Sequence, residues 1–258
     1  KNAIQVLPKI RKSTDNILTL NLLNDPDAQV RLAALLALCD LPPAPSAGTA
    51  LVNMWKQQAQ YQDRWTPDAF TAAAASNDSQ FLQSVAEFTE PNAGLINTVK
   101  IVTEHYARAG NSAALPELIS QLSNAEPALL NAVIEGLGRG WPSDQPPVLD
   151  GRLEGNLKLL VERLPPAERG ALVKLAQNWG STQFADYAAK VSQDLLATVD
   201  DPALSIDQRV TAARELISFR SSDDETVSEL LNRLNSQVEL SLGVGIVASM
   251  AEDCSDHK

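Results

Sequence analysis

The sequence predicts an all-α chain, an α-α superhelix of about seven helical pairs forming one domain over residues 1–258. Three observations predict it. Residues 24–41, NDPDAQVRLAALLALCDL, read as a helix apolar on nearly every side, and such a helix needs neighbours on several faces. Prolines recur as a comb at Pro26, Pro67, Pro91, Pro127, Pro166 and Pro202, spaced 41, 24, 36, 39 and 36 residues apart. A self-similarity near 36 residues is the signature of stacked helical hairpins. The composition agrees: alanine and leucine abound, and aromatics make up 5%, which favours helix over sheet.

Each proline follows a capping or turn residue (Asp25, Thr66, Glu90, Glu126, Pro165, Asp201) and opens the second helix of a pair. Asp25 reads as an N-cap and Pro26 as the first helical residue, where a missing N–H costs nothing. The pairs run 14–23 with 26–39, 47–60 with 67–75, 78–88 with 91–108, 112–122 with 127–137, 152–164 with 166–178, 182–199 with 206–219, and 224–234 with 238–251. Val30, Ala34, Ala37, Leu38 and Leu41 share one face of the first such helix, while Leu32, Leu35, Leu36 and Cys39 cover much of the other. Ile206, Val210, Ala213 and Ile217 repeat the spacing, as do Leu129, Val133 and Leu137. Gly110, Gly140 and Gly180 stand where helices should stop. Gly136, Gly138 and Gly140 alternate at a helix end rather than between strand and helix, so they read as close packing and not as a phosphate loop. Gly243 and Gly245 read as close-approach positions in the last helix.

Two proline-rich loops, 40–47 and 141–151, both follow a second helix. Trp55, Trp65, Trp141 and Trp179 are expected to cap cores between pairs. Trp141 has two readings. It is a seal folded back between pairs, or an anchor that binds a partner together with Pro142, Asp144, Pro146 and Pro147. Stiff loops lose little entropy on binding, and Trp is enriched at interface hot spots.

The net charge of −11 and the lack of a Lys/Arg cluster argue against nucleic acid and anionic membrane. No apolar run is long enough to insert in a bilayer. Cys39 and Cys254 form neither a disulfide framework nor a zinc spacing, and in a stack they are expected to stay apart, Cys39 buried and Cys254 exposed. His105 lacks a second His at i+4, and Cys254 with His257 supplies two ligands only. No serine elbow is present. The residues therefore predict no catalytic group, no metal and no cofactor. The start at Lys1 reads as that of an excised fragment.

The opening KNAIQVLPKI, the stretch LLNDPDAQVRLAALLALCDLP and the tail over 240–252 resemble a HEAT-repeat array. More narrowly, they resemble the HEAT segment of planctomycete-type large membrane-bound dehydrogenase and c-type cytochrome proteins. The resemblance implies a non-catalytic scaffold, a spacer that contacts a protein partner or a neighbouring domain of the same chain, in a periplasmic or extracytoplasmic setting. It also implies that Asp25, Asp27, Arg31 and Arg209 tie repeats together. With no CxxCH and no propeller region, haem and dehydrogenase functions do not carry over. The alternatives are an enzyme on a HEAT-like scaffold, which would need paired His-Glu motifs or a basic groove, and an electron-transfer protein whose haem domain lies outside this segment.

Overall fold

A computed structural model describes residues 13–57, 64–110, 112–164, 166–219, 224–234 and 239–256. Among them are fourteen α-helices and no strand. They are α1 (Ser13–Thr19), α2 (Ala28–Cys39), α3 (Pro45–Gln57), α4 (Trp65–Ser76), α5 (Asp78–Val85), α6 (Ala93–Arg108) and α7 (Leu115–Leu122). The second seven are α8 (Pro127–Gly140), α9 (Gly151–Arg163), α10 (Pro166–Asn178), α11 (Ala185–Asp200), α12 (Ile206–Phe219), α13 (Asp224–Arg233) and α14 (Leu240–Asp256). Each falls on a helix expected from the sequence, and α10 and α12 match it at both ends.

The chain packs as two compact units, Lys1–Pro165 with Asn178–Gly180, and Pro166–Gln177 with Ser181–Lys258. In the first, each helix lies against the helix two places along: α1 on α3, α2 on α4, α3 on α5, α4 on α6, α5 on α7, α6 on α8 and α7 on α9. Odd-numbered helices thus form one row and even-numbered helices another, with the apolar core between them. Phe70 of α4 stands at its centre, 4.9 Å from the Trp55 ring and 6.0 Å from Phe81. In the second unit α12 packs on α11, α13 and α14, burying Val199, Leu216, Leu230, Leu242 and Ile246 together.

Polar ties across neighbouring helices keep the register. Thr49 and Ser84 share a hydrogen bond of 3.1 Å between α3 and α5. Lys100 pairs with Glu135 between α6 and α8. Arg152 of α9 donates to Glu117 of α7 at 2.7 Å, and Arg233 of α13 to Asp200 of α11 at 2.9 Å. Exposed pairs of this kind stabilise by about 1 kcal/mol at most. Their value here is positional, because the partners stand 33 to 35 residues apart in the chain. That separation is close to the proline period. Thr71 and Thr98, joined at 3.2 Å between α4 and α6, are 27 apart and fall across the one short interval of the comb.

Glycine sets how closely these helices approach. A Cβ on Gly48 of α3 would meet the Gln80 backbone of α5, and one on Gly245 of α14 would overlap Val210 of α12. Gly243 makes only ordinary contact with Leu234, so close approach holds for one of the two glycines expected to provide it.

Four local expectations change. The N-cap of α2 is Asp27, whose side chain accepts from Gln29 N at 2.8 Å. Asp25 instead accepts from Asp27 N at 2.8 Å, closing an Asx turn that places Pro26 before the helix and not at its first position. Gly140 ends α8 from within the helix, pressed on the Glu104 backbone, whereas Gly110 and Gly180 do take the left-handed conformation, at φ 62° and 90°. Helix α2 is not enclosed all round, because Leu36 is 51% exposed. Trp55, Trp141 and Trp179 are buried, but Trp65 is exposed, with the Arg64 guanidinium 5.3 Å above its ring.

Candidate functional site

A groove of about 800 Å³ runs between α4 and α6 in the first unit. Its shape comes from short side chains. Helix α4 carries the run TAAAAS and offers Thr71, Ala72 and Ala75 to the groove; α6 offers Ala93, Gly94, Asn97 and Thr98. Asn92 caps α6, accepting from Leu95 N at 3.0 Å, and so places Gly94 against the Trp55 indole that closes one end. Ile101, 44% exposed, stands in the wall.

Glu104, His105 and Arg108 line the other end, and there the charges engage one another. Arg108 pairs with Glu104 one turn back, and His105 Nδ1 lies 3.2 Å from Asp78 Oδ2 on α5. Beneath them Tyr106 is buried. Burial and the nearby Asp78 carboxylate push its phenol up to about 12. The groove is thus a largely apolar channel edged by amide and hydroxyl groups, with Asp68 also on its lining. Among the described residues no group of three or more His, Cys, Asp or Glu is placed to hold a metal ion, and no helix is long and apolar enough to cross a membrane.

The residues singled out from the sequence lie elsewhere. Trp141 is 8% exposed. Its ring meets Trp179 edge-on at 5.4 Å and its Nε1 donates to the Gln145 carbonyl at 2.9 Å. Pro147 is buried and Pro142 partly so; Asp144 and Pro146 are exposed. The loop's exposed apolar side chain is Val148, at 79%.

Arg31 Nη1 donates to the carbonyls of Asp25 at 2.8 Å and Pro26 at 3.1 Å. Arg209 Nε donates to the Val199 carbonyl at 2.7 Å. Each arginine is the fourth residue of its helix, α2 or α12; Arg31 grips the carbonyls of the turn just before α2, and Arg209 reaches back to a carbonyl in the last turn of α11. The turns match as well: Asp201 accepts from Ala203 N at 2.9 Å, as Asp25 does from Asp27. The Asp-Pro turn and arginine latch recurs in both units, although two more residues separate aspartate from arginine in the second.

Cys39 is half-buried. Its thiol donates to the Leu35 carbonyl at 3.4 Å, and burial followed by the adjacent Asp40 pushes its ionisation up. The side chain of Cys254 lies outside the described residues.

The groove was not anticipated from the sequence. An alanine run signals helix and close packing, and nothing in its spacing shows that the facing helix is also built of small residues. The signal that could have revealed it was the short proline interval between Pro67 and Pro91, which lies over these two helices. No family model matches the chain, and comparison with curated proteins and with solved structures finds no match.

Proposed function

We propose that this chain is a HEAT-like α-α superhelix acting as a non-catalytic scaffold, and that the groove between α4 and α6 holds a segment of a protein partner or of a neighbouring domain. The observation that carries this reading is the groove itself, a channel of about 800 Å³ with alanine, glycine and threonine walls and Ile101 exposed along it. The superhelix reading draws support from the alternate-helix packing of the first unit and from ties between residues 33 to 35 apart. A spacer role in a larger extracytoplasmic redox protein rests on the sequence resemblance alone.

The test is selection of peptides from a displayed random library against the purified chain, followed by calorimetry and hydrogen exchange. Peptides that protect the amides of α4 and α6, and whose affinity is lost in Ala72→Trp, support the reading. Binding that maps elsewhere and survives Ala72→Trp overturns the groove assignment. A Soret band in the purified chain, or turnover in a hydrolase screen, would replace the scaffold with one of its alternatives.

A further inference from the structure

A second cleft belongs to the odd-numbered row of the first unit and is separate from the groove between α4 and α6. Helices α3 and α5 touch near their starts, where a Cβ on Gly48 would lie 2.3 Å from the Gln80 backbone, and the bond between Thr49 and Ser84 follows. Further on, the side chains lengthen to Asn53 and Lys56 on α3 and Gln83 on α5, and a cleft of about 520 Å³ opens between the helices. Gln121 of α7 and the turn into α8, with Asn124 and Glu126, complete its wall. The buried side chains of Val52, Ala86 and Phe88 also line it. Its volume falls within the range of small-molecule sites, about 300–1,000 Å³.

Carboxamides distinguish this lining. Three successive odd-numbered helices contribute one each, Asn53, Gln83 and Gln121, and the turn adds Asn124. Gln121 already donates to Glu117 at 3.1 Å. The other three make no side-chain hydrogen bond among the described residues, so their donors and acceptors are available to a ligand. A carboxamide donates and accepts at one place, as a hydroxyl group does. The lining therefore pairs best with a ligand that presents many hydroxyls.

Other classes of ligand fit less well. Lys56 stands against Glu87 and Glu126 in the lining, which leaves no surplus of positive charge for an anion. The Lys56 ammonium lies 5.5 Å from the Phe88 ring centroid, and the ring is otherwise buried. The cleft thus offers no open aromatic face on which a planar base could stack.

We propose that this cleft binds a neutral saccharide, held through its hydroxyls by Asn53, Gln83 and Asn124. The site is independent of the groove assignment.

Amide NMR of the full chain, titrated separately with maltotetraose, cellotetraose, mannotetraose and chitotetraose up to tens of millimolar, tests this. At least one should shift the side-chain amide signals of Asn53, Gln83 and Asn124, together with the backbone amides around them. Asn53→Ala and Gln83→Ala each place the best helix former at an exposed helical position, so both variants should fold. Each should weaken binding about three- to tenfold, the worth of one hydrogen bond. Ala72→Trp, which fills the groove, should leave it unchanged. No shift with any of these saccharides overturns the proposal. So does binding that maps away from the cleft, or that keeps its affinity in both alanine variants. Loss of binding in Ala72→Trp would place the saccharide in the groove and overturns it too. Inorganic phosphate or adenosine that shifts the same signals at lower concentration than any of the saccharides refutes the ligand class, and the proposal with it.

Discussion

Gly136 of α8 faces Thr103 of α6 so closely that a Cβ built on the glycine would lie 2.6 Å from the threonine Cβ. One turn on, Gly140 abuts the Glu104 carbonyl and Ala107. Two glycines four residues apart thus let α6 and α8 touch backbone to backbone, and any larger residue would push the helices apart. Gly136→Ala should lower stability by about 1–3 kcal/mol, the usual cost of overpacking. Gly155 in α9 is the control, because a Cβ there meets nothing within 4 Å. Gly155→Ala should raise stability by up to about 1 kcal/mol through helix propensity. Urea unfolding of the two variants distinguishes a packing role from a generic glycine effect; equal shifts would refute the close-approach account.

Trp141 should behave as a core residue. Trp141→Ala removes the edge-on contact with Trp179 and the bond to Gln145, and should cost about 3 kcal/mol or more. Trp141→Phe keeps most of the contact and loses the bond, so its cost should be about 1 kcal/mol. Thermal melts of the three proteins check the order. An alanine variant as stable as the wild type would return Trp141 to the role of a binding anchor.

Asp27 acts as a helix cap and not as an ion-pair partner of Arg31, whose guanidinium is spent on the Asp25 and Pro26 carbonyls. Asparagine caps as well as aspartate does. Asp27→Asn should therefore leave stability nearly unchanged, while Asp27→Ala costs about 1 kcal/mol. If the asparagine variant loses as much as the alanine variant, charge is the operative property and the cap account fails.

Tyr106 links stability to alkaline pH. Its phenol is raised from 10.0 to about 12 by burial and by Asp78, so the folded state holds the proton more tightly than the unfolded chain does. Its contribution is complete below the unfolded value of 10.0 and is lost as pH rises toward about 12. Tyrosinate absorbance should show one late-titrating tyrosine that coincides with the loss of stability. Tyr106→Phe should remove that late step, and a wild type with three ordinary tyrosine titrations would contradict the burial.

The sequence by itself determined where helices form and how often they recur. The 3.6-residue apolar spacing and the proline comb are local properties, and local properties place all fourteen helices. The spacing of the comb also foreshadowed the distance in chain between Thr49 and Ser84 or between Glu117 and Arg152, because a repeat of constant length brings residues one repeat apart side by side. What the tertiary structure decided is what each side chain meets. Asp25 and Asp27 are both acceptable caps in one dimension, and only the path of the turn selects Asp27. Gly140 reads as a helix stop until α6 arrives beside it. Trp141 reads as anchor or seal in the sequence, and only the fold brings the Trp179 ring, 38 residues on, against it. The groove follows the same rule. Ala72 and Ala75 on one helix, and Ala93 and Gly94 on the next, are ordinary packing residues apart, and they form a channel only once α4 and α6 lie next to each other. Burial is a relation between distant residues, and no local pattern contains it.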